Sequence, residues 1–331
     1  MTDLFTNPNE EKPVLEVKNL RTYFYVKAGT VKAVDGVNFH VKPGIKAGLV
    51  GESGSGKSSI ALSILRMIRP PGTVQGQIIL DGVDLISLSK EEMRRARMTK
   101  LAMIPQGAMN ILNPVMRVEN QIMDALADHD IRLNKAEQKE RVAQLLDLVE
   151  LPGNVARMYP HELSGGMKQR VCVAISISLG PKFLIADEPT SALDVVIQRQ
   201  VMDTITGLVK DLNLSMILIG HDMGLMAQAV DRLAVMYAGK LAEVGDVKPM
   251  FTDPMHPYTQ ALIESLPTLG ARGVFSGLPG IPPSVINPPP GCLFSARCPK
   301  VMADICPIHD PPFFEVKPGR WVACHLYPGG S

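Results

Sequence analysis

Apolar and polar positions alternate along residues 14–41 around the turn signals Ala28-Gly29-Thr30 and Lys42-Pro43-Gly44, and this period of two predicts antiparallel strands. From Ile45 the texture changes. A continuous apolar run, 45–50, enters a glycine-rich turn, after which Ile60, Ile64, Leu65 and Ile68 recur on one side of a helix. Between Gly107 and His161 helical patterns dominate. Val142, Leu145, Leu146 and Val149 form an i, i+3, i+4, i+7 stripe between charged residues, so a helical insert is expected at about 107–165. Two further short buried strands, 183–186 and 216–220, flank a helical stretch at 196–212. Strands alternating with helices imply an α/β fold with a mostly parallel sheet covered on both faces. Beyond Pro249 the prolines thicken, as in Pro282-Pro283 and Pro288-Pro289-Pro290, which predicts a linker and a small loop-rich module. The expected organisation is one domain over 14–249 and a C-terminal module over 250–331.

Composition narrows the class. The 331 residues are 46% hydrophobic and 20% charged with a formal net charge of +1, which describes a globular protein and gives no electrostatic case for nucleic acid. No apolar run reaches the ~18 to 20 residues that span a bilayer. The opening residues, MTDLFTNPNEEKP, are polar and acidic, unlike a secretory signal, so a cytosolic location is expected.

The first candidate chemistry is Gly51-Glu52-Ser53-Gly54-Ser55-Gly56-Lys57-Ser58, which fits G-x-x-x-x-G-K-[ST] between a strand and a helix. Glycines let backbone N–H groups converge on phosphate oxygens at a helix N-terminus. Lys57 reaches the β and γ phosphates, and Ser58 offers its hydroxyl to Mg²⁺. Ser59 continues this site. Asp187-Glu188 ends an apolar strand, where ligands of open α/β sheets bind: Asp187 can hold Mg²⁺ and Glu188 can polarise an attacking water. An acidic pair after a strand is otherwise most often a helix cap or a solvated turn. His221 follows a third strand end, in the position of a γ-phosphate sensor. Leu163-Ser164-Gly165-Gly166 opens a helical pattern, so Ser164, Gly165 and Gly166 form a second anion cradle or simply an N-cap.

With these residues in place the chain resembles the ATP-binding-cassette (ABC) ATPases. LSGGMKQR, 163–170, looks like their signature, with Met167 where many relatives have glutamine. The phosphate loop, Gln106 as the Q-loop, Asp187 and Glu188, the SALD segment ending in Asp194, and His221 stand in the family's order. The resemblance implies a P-loop NTPase core with an N-terminal antiparallel subdomain. It also implies catalytic roles for Glu188, His221 and Gln106, and Mg²⁺ on Ser58, Gln106 and Asp187. Adenine stacks on an aromatic near the first strands, assigned to Phe24 with Tyr23 and Tyr25 as rivals. His256-Pro257-Tyr258-Thr259-Gln260, Leu278-Pro279-Gly280-Ile281-Pro282 and GCLFSARCPKVMADIC resemble the peptide-importer branch.

That resemblance implies an ATP-hydrolysing importer subunit for dipeptides or oligopeptides, peripheral on the cytoplasmic face of the membrane. Its partners would be a second cassette, a paralogue, since each ATP lies between the loop of one cassette and the signature of another, together with two permease subunits and an external binding protein. Alternatives are an importer of oligosaccharide or nickel, a soluble cassette ATPase, and a redox or metal sensor with a regulatory nucleotide site. Five cysteines are unevenly placed. Cys172 lies in an apolar helix and reads as core, while Cys292, Cys298, Cys306 and Cys324 follow the spacing C-x5-C-x7-C-x17-C. In a reducing compartment this suggests metal. No gap is as short as zinc knuckles use, so an iron–sulfur cluster, [4Fe–4S], is expected ahead of zinc.

Overall fold

The computed structural model describes residues 12–107, 111–191, 193–266 and 280–327. Most of the N-terminal segment, Ala192 of the SALD segment, and Leu278 and Pro279 lie outside the described residues. The chain forms two compact units, residues 1–87 with 218–331, and residues 88–217.

In the first unit the predicted period of two becomes the hairpin Leu15–Val26 and Gly29–Val41, with Leu15 opposite Val41 and Val26 opposite Gly29. Leu15, Val17 and Leu20 face the core. Gly72–Leu80 and Val83–Asp84 extend this antiparallel sheet. A second sheet runs Lys46–Val50 parallel to Arg232–Tyr237, then Lys240–Asp246, Arg320–Val322 and Phe314–Lys317, each antiparallel to its neighbour. The expected C-terminal module is loop-rich over most of its described length, and its last two strands add to the sheet. The module also begins with helices, Val247–Thr252 and Pro257–Glu264. One ion pair explains why the tail docks. The fully buried carboxylate of Glu243 accepts the Arg320 guanidinium at 2.6 Å and the main-chain N–H groups of Met255 and His256 at 2.9 and 2.8 Å. A buried charge needs such partners.

The helix after the phosphate loop, Lys57–Ile64, is shorter than its apolar pattern predicts. Ile60, Ile64 and Leu65 are buried, but Arg66 turns to a positive φ of 50° and Ile68 falls outside the helix.

In the second unit, Leu101–Ile104 pairs parallel with Phe183–Asp187. Val118–Ala127, Lys135–Leu148 and Gly165–Ile177 pack by their apolar stripes, with Val142, Leu145, Leu146 and Val149 all buried. Asn134 starts the second of these by capping Ala136 and Glu137, while the Glu137 carboxylate accepts the Asn134 N–H. Cys172 is a core residue as expected, its thiol pushed up to about 12 by burial. No described helix is long and apolar enough to cross a membrane.

Candidate functional site

The phosphate loop leaves the strand Lys46–Val50 and ends on the helix Lys57–Ile64, as the run-then-glycines pattern requires. Two of its glycines cannot be replaced. Gly51 has φ 151° and a Cβ there would meet the Met236 carbonyl oxygen at 2.2 Å; Gly56 has φ 104° and a Cβ would meet the Ala33 oxygen at 2.1 Å. Both backbones are held against main-chain oxygens. The buried Lys57 ammonium donates to the carbonyls of Gly51 and Glu52 at 2.8 Å and to Ser55 Oγ at 3.3 Å, so the cation is aimed into its own loop. Ser53, Gly54 and Ser58 are exposed, Ser59 is partly so, and His221 is exposed beyond the strand Ser215–Gly220.

The aromatic candidates separate by environment. Tyr23 donates its hydroxyl to the Asp35 carboxylate, and burial together with that partner pushes its pKa up to about 12. Phe24 is half-buried and Tyr25 is 49% exposed.

In the second unit the strand Phe183–Asp187 carries Asp187, buried, and delivers Glu188 with a positive φ of 44°. The amide of Gln106 donates to the Glu188 carboxylate at 2.9 Å. Two residues 82 positions apart thus share one site, a pairing that no local pattern in the sequence carries. Ser164 caps the helix Gly165–Ile177 by accepting the Met167 N–H at 3.3 Å. A Cβ on Gly166 would meet Ile197 Cγ2 at 2.6 Å, so that glycine also has a packing reason. Asp194 caps the helix Val195–Asp211 through the N–H groups of Val196 and Ile197.

Two family models match the chain, "ABC transporter" over residues 34–191 and "Oligopeptide/dipeptide transporter, C-terminal region" over 242–306. The oligopeptide transport ATP-binding protein AppD of Bacillus subtilis is 43% identical, covering 95% of this chain and 97% of its own length. The chain belongs to the ABC transporter family. This ABC subunit is also similar to the oligopeptide transport ATP-binding protein OppD of Escherichia coli, at 41% identity over 94% of this chain and 92% of that one. Its fold matches the ATP-binding cassette MJ0796, solved as a dimer with ADP and Pi, with TM-score 0.63 and 24% identity over 70% of this chain and 98% of that one. Another neighbour is cbiO1 from Clostridium perfringens, part of the ABC transporter complex cbiONQ, with TM-score 0.63 and 25% identity over 73% and 92%. The expected α/β ABC ATPase fold is thereby established, and with it ATP hydrolysis as this subunit's activity.

The four expected cysteine ligands all lie within the described residues. Among the described residues no group of three or more His, Cys, Asp or Glu side chains is placed to hold a metal ion. Cys292, Cys298, Cys306 and Cys324 are free thiols. Burial pushes the Cys292 thiol up to about 11 and raises Cys298 and Cys324. The fold nevertheless gathers them in one neighbourhood. Cys292 donates its N–H to the Cys306 carbonyl at 2.7 Å, and Cys306 Sγ accepts the Met302 N–H at 3.4 Å.

Arg297 and Tyr258, which lie in two of the strings resembling the peptide-importer branch, also reach the phosphate loop. Arg297 binds the Glu52 carboxylate and Tyr258 Oη accepts the Glu52 N–H, contacts 245 and 206 positions apart that no local pattern reveals.

Proposed function

We propose that this subunit powers import of dipeptides or oligopeptides by binding and hydrolysing ATP. The observation that carries the reading is the joint match to a cassette and to the oligopeptide/dipeptide C-terminal region in a chain that retains the phosphate loop. Residues 14–249 act as the nucleotide-binding domain, with the insert at about 107–165 conveying motion to permease subunits, and 250–331 as the C-terminal module. The subunit works at the cytoplasmic face of the membrane with two permease subunits, an external binding protein and a second cassette. The dimeric MJ0796 cassette supports that last pairing by likeness of fold.

In the ATP site the loop N–H groups of 51–59 and Lys57 bind the phosphates; Ser58, and Gln106 and Asp187 of the second unit, are the residues that would hold Mg²⁺, which would neutralise charge developing on the phosphoryl oxygens. Glu188 takes a proton from the attacking water. The Gln106 amide bonded to it supports this role, because it fixes a carboxylate oxygen in place. His221 contacts the γ-phosphate, Phe24 stacks on adenine, and Ser164, Gly165, Gly166 and Asp194 serve the partner's nucleotide. ATP hydrolysis by the assembled transporter, stimulated by a peptide-loaded binding protein, tests the reading. Stimulation by nickel or oligosaccharide alone would reassign the cargo.

For the C-terminal module we propose an iron–sulfur cluster, [4Fe–4S], on Cys292, Cys298, Cys306 and Cys324. Support comes from the donor set, four sulfurs in one module, with the main-chain N–H groups of Phe294, Lys300 and Leu326 directed at three of them. Such a cluster would staple the module. Iron and labile sulfide in anaerobically purified protein test it, and one zinc per chain in place of iron would refute it.

A further inference from the structure

Glu52 is an unusual neighbour for a triphosphate. It lies inside the phosphate loop, one residue after Gly51, and its carboxylate would repel the ligand that the loop is built to receive. Arg297 meets it. The guanidinium donates through Nη1 and Nη2 to the two carboxylate oxygens of Glu52 at 2.8 and 2.9 Å, a bidentate fork. The Arg297 side chain is 4% exposed, against 24% for Glu52. It is fixed from behind, donating to Tyr237 Oη at 3.1 Å and lying over the rings of Tyr237 and Phe294 at 5.8 and 6.0 Å. Tyr237, Tyr258 and Phe294 pack on one another, and Tyr258 Oη accepts the Glu52 N–H at 2.9 Å. Glu52 is therefore gripped at its main chain and at its side chain, the latter by a residue of the C-terminal module adjacent to Cys298.

From this geometry we infer that Arg297 is a positioning residue for nucleotide binding: it neutralises Glu52 and holds its carboxylate away from the phosphates, so that the folded C-terminal module sets the affinity of the phosphate loop. The inference rests on the reading of residues 51–59 as the ATP site. Coupling of this kind is reciprocal, so nucleotide on the loop must in turn favour the docked arrangement of the segment around Arg297.

The test measures Mg-ATP binding to the full chain by calorimetry at low and high salt. Arg297→Gln leaves the Glu52 charge uncompensated and weakens binding about tenfold at low salt, with a smaller defect at high salt. Adding Glu52→Gln to Arg297→Gln restores affinity to within about threefold, because the repelling charge is gone. Arg297→Lys retains most of the affinity, since a point charge still neutralises though it loses the fork. A purely structural role predicts neither the rescue nor the salt dependence. Should Arg297→Gln not fold, Glu52→Gln alone carries the test, because a lone Arg297 must tighten ATP binding, and weakened binding would overturn the inference. Unchanged affinity in Arg297→Gln, or a double variant as weak as the single, also overturns it. Lys57→Ala separates the two readings: lost binding there with no effect at Arg297 rejects the coupling alone, whereas retained binding rejects the ATP site and the coupling together.

Discussion

The side-chain amide of Gln106 donates to the carboxylate of Glu188 at 2.9 Å, and Glu188 itself stands at a positive φ at the end of a buried strand. The backbone and one fixed hydrogen bond both aim this carboxylate.

Glu188→Gln should therefore keep ATP binding while slowing hydrolysis by about 10²- to 10⁴-fold, since an amide can orient water but cannot take its proton. Single-turnover hydrolysis in the assembled transporter measures this, and a rate near wild type removes Glu188 from the role.

Gly56→Ala should abolish ATP binding without unfolding the rest of the chain. The added methyl must displace the Ala33 carbonyl or the loop itself, at a φ that disfavours side chains. Calorimetric titration with Mg-ATP checks the loss, and circular dichroism the fold.

Stability should fall on mild acidification. His256 is fully buried and neutral, with Nδ1 accepting the Tyr258 N–H at 3.0 Å, and burial lowers its pKa from 6.5 to about 4. The unfolded chain therefore binds a proton that the folded chain refuses between these values. The stability from His256 is complete above pH 6.5, is lost as the pH falls toward 4, and amounts to about 3 kcal/mol in all. Denaturant midpoints from pH 7 to 4 should show the loss, and His256→Gln should flatten it.

Arg320→Met should destabilise the chain by about 3–5 kcal/mol, because it strands the fully buried Glu243 carboxylate without its cation. Urea unfolding measures it; a cost under 1 kcal/mol would remove this pair as the anchor of the C-terminal strands.

Much of this was legible in the sequence because it is local. The period of two gave the Leu15–Val41 hairpin, the buried stripe of Lys135–Leu148 followed from its 3.6-residue repeat, and the phosphate loop is a contiguous string whose glycines have steric reasons at Gly51 and Gly56. What stayed hidden depends on distant partners. Phe314–Lys317 and Arg320–Val322 are short and become strands only against Lys240–Asp246, where Glu243 receives Arg320. Nothing near Glu52 announces Arg297. The cysteine spacing does not reveal that the main chain of Cys292 is drawn beside Cys306, whose carbonyl accepts its N–H at 2.7 Å.

Whether ATP turnover by this chain drives peptide uptake is tested by uptake of a labelled oligopeptide into vesicles holding the chain with its permease subunits, second cassette and binding protein. Uptake should require ATP on the cassette side and be accompanied by hydrolysis that Lys57→Ala and Glu188→Gln each suppress. Peptide uptake that continues at the wild-type rate in both variants, or ATP hydrolysis indifferent to peptide, would contradict it.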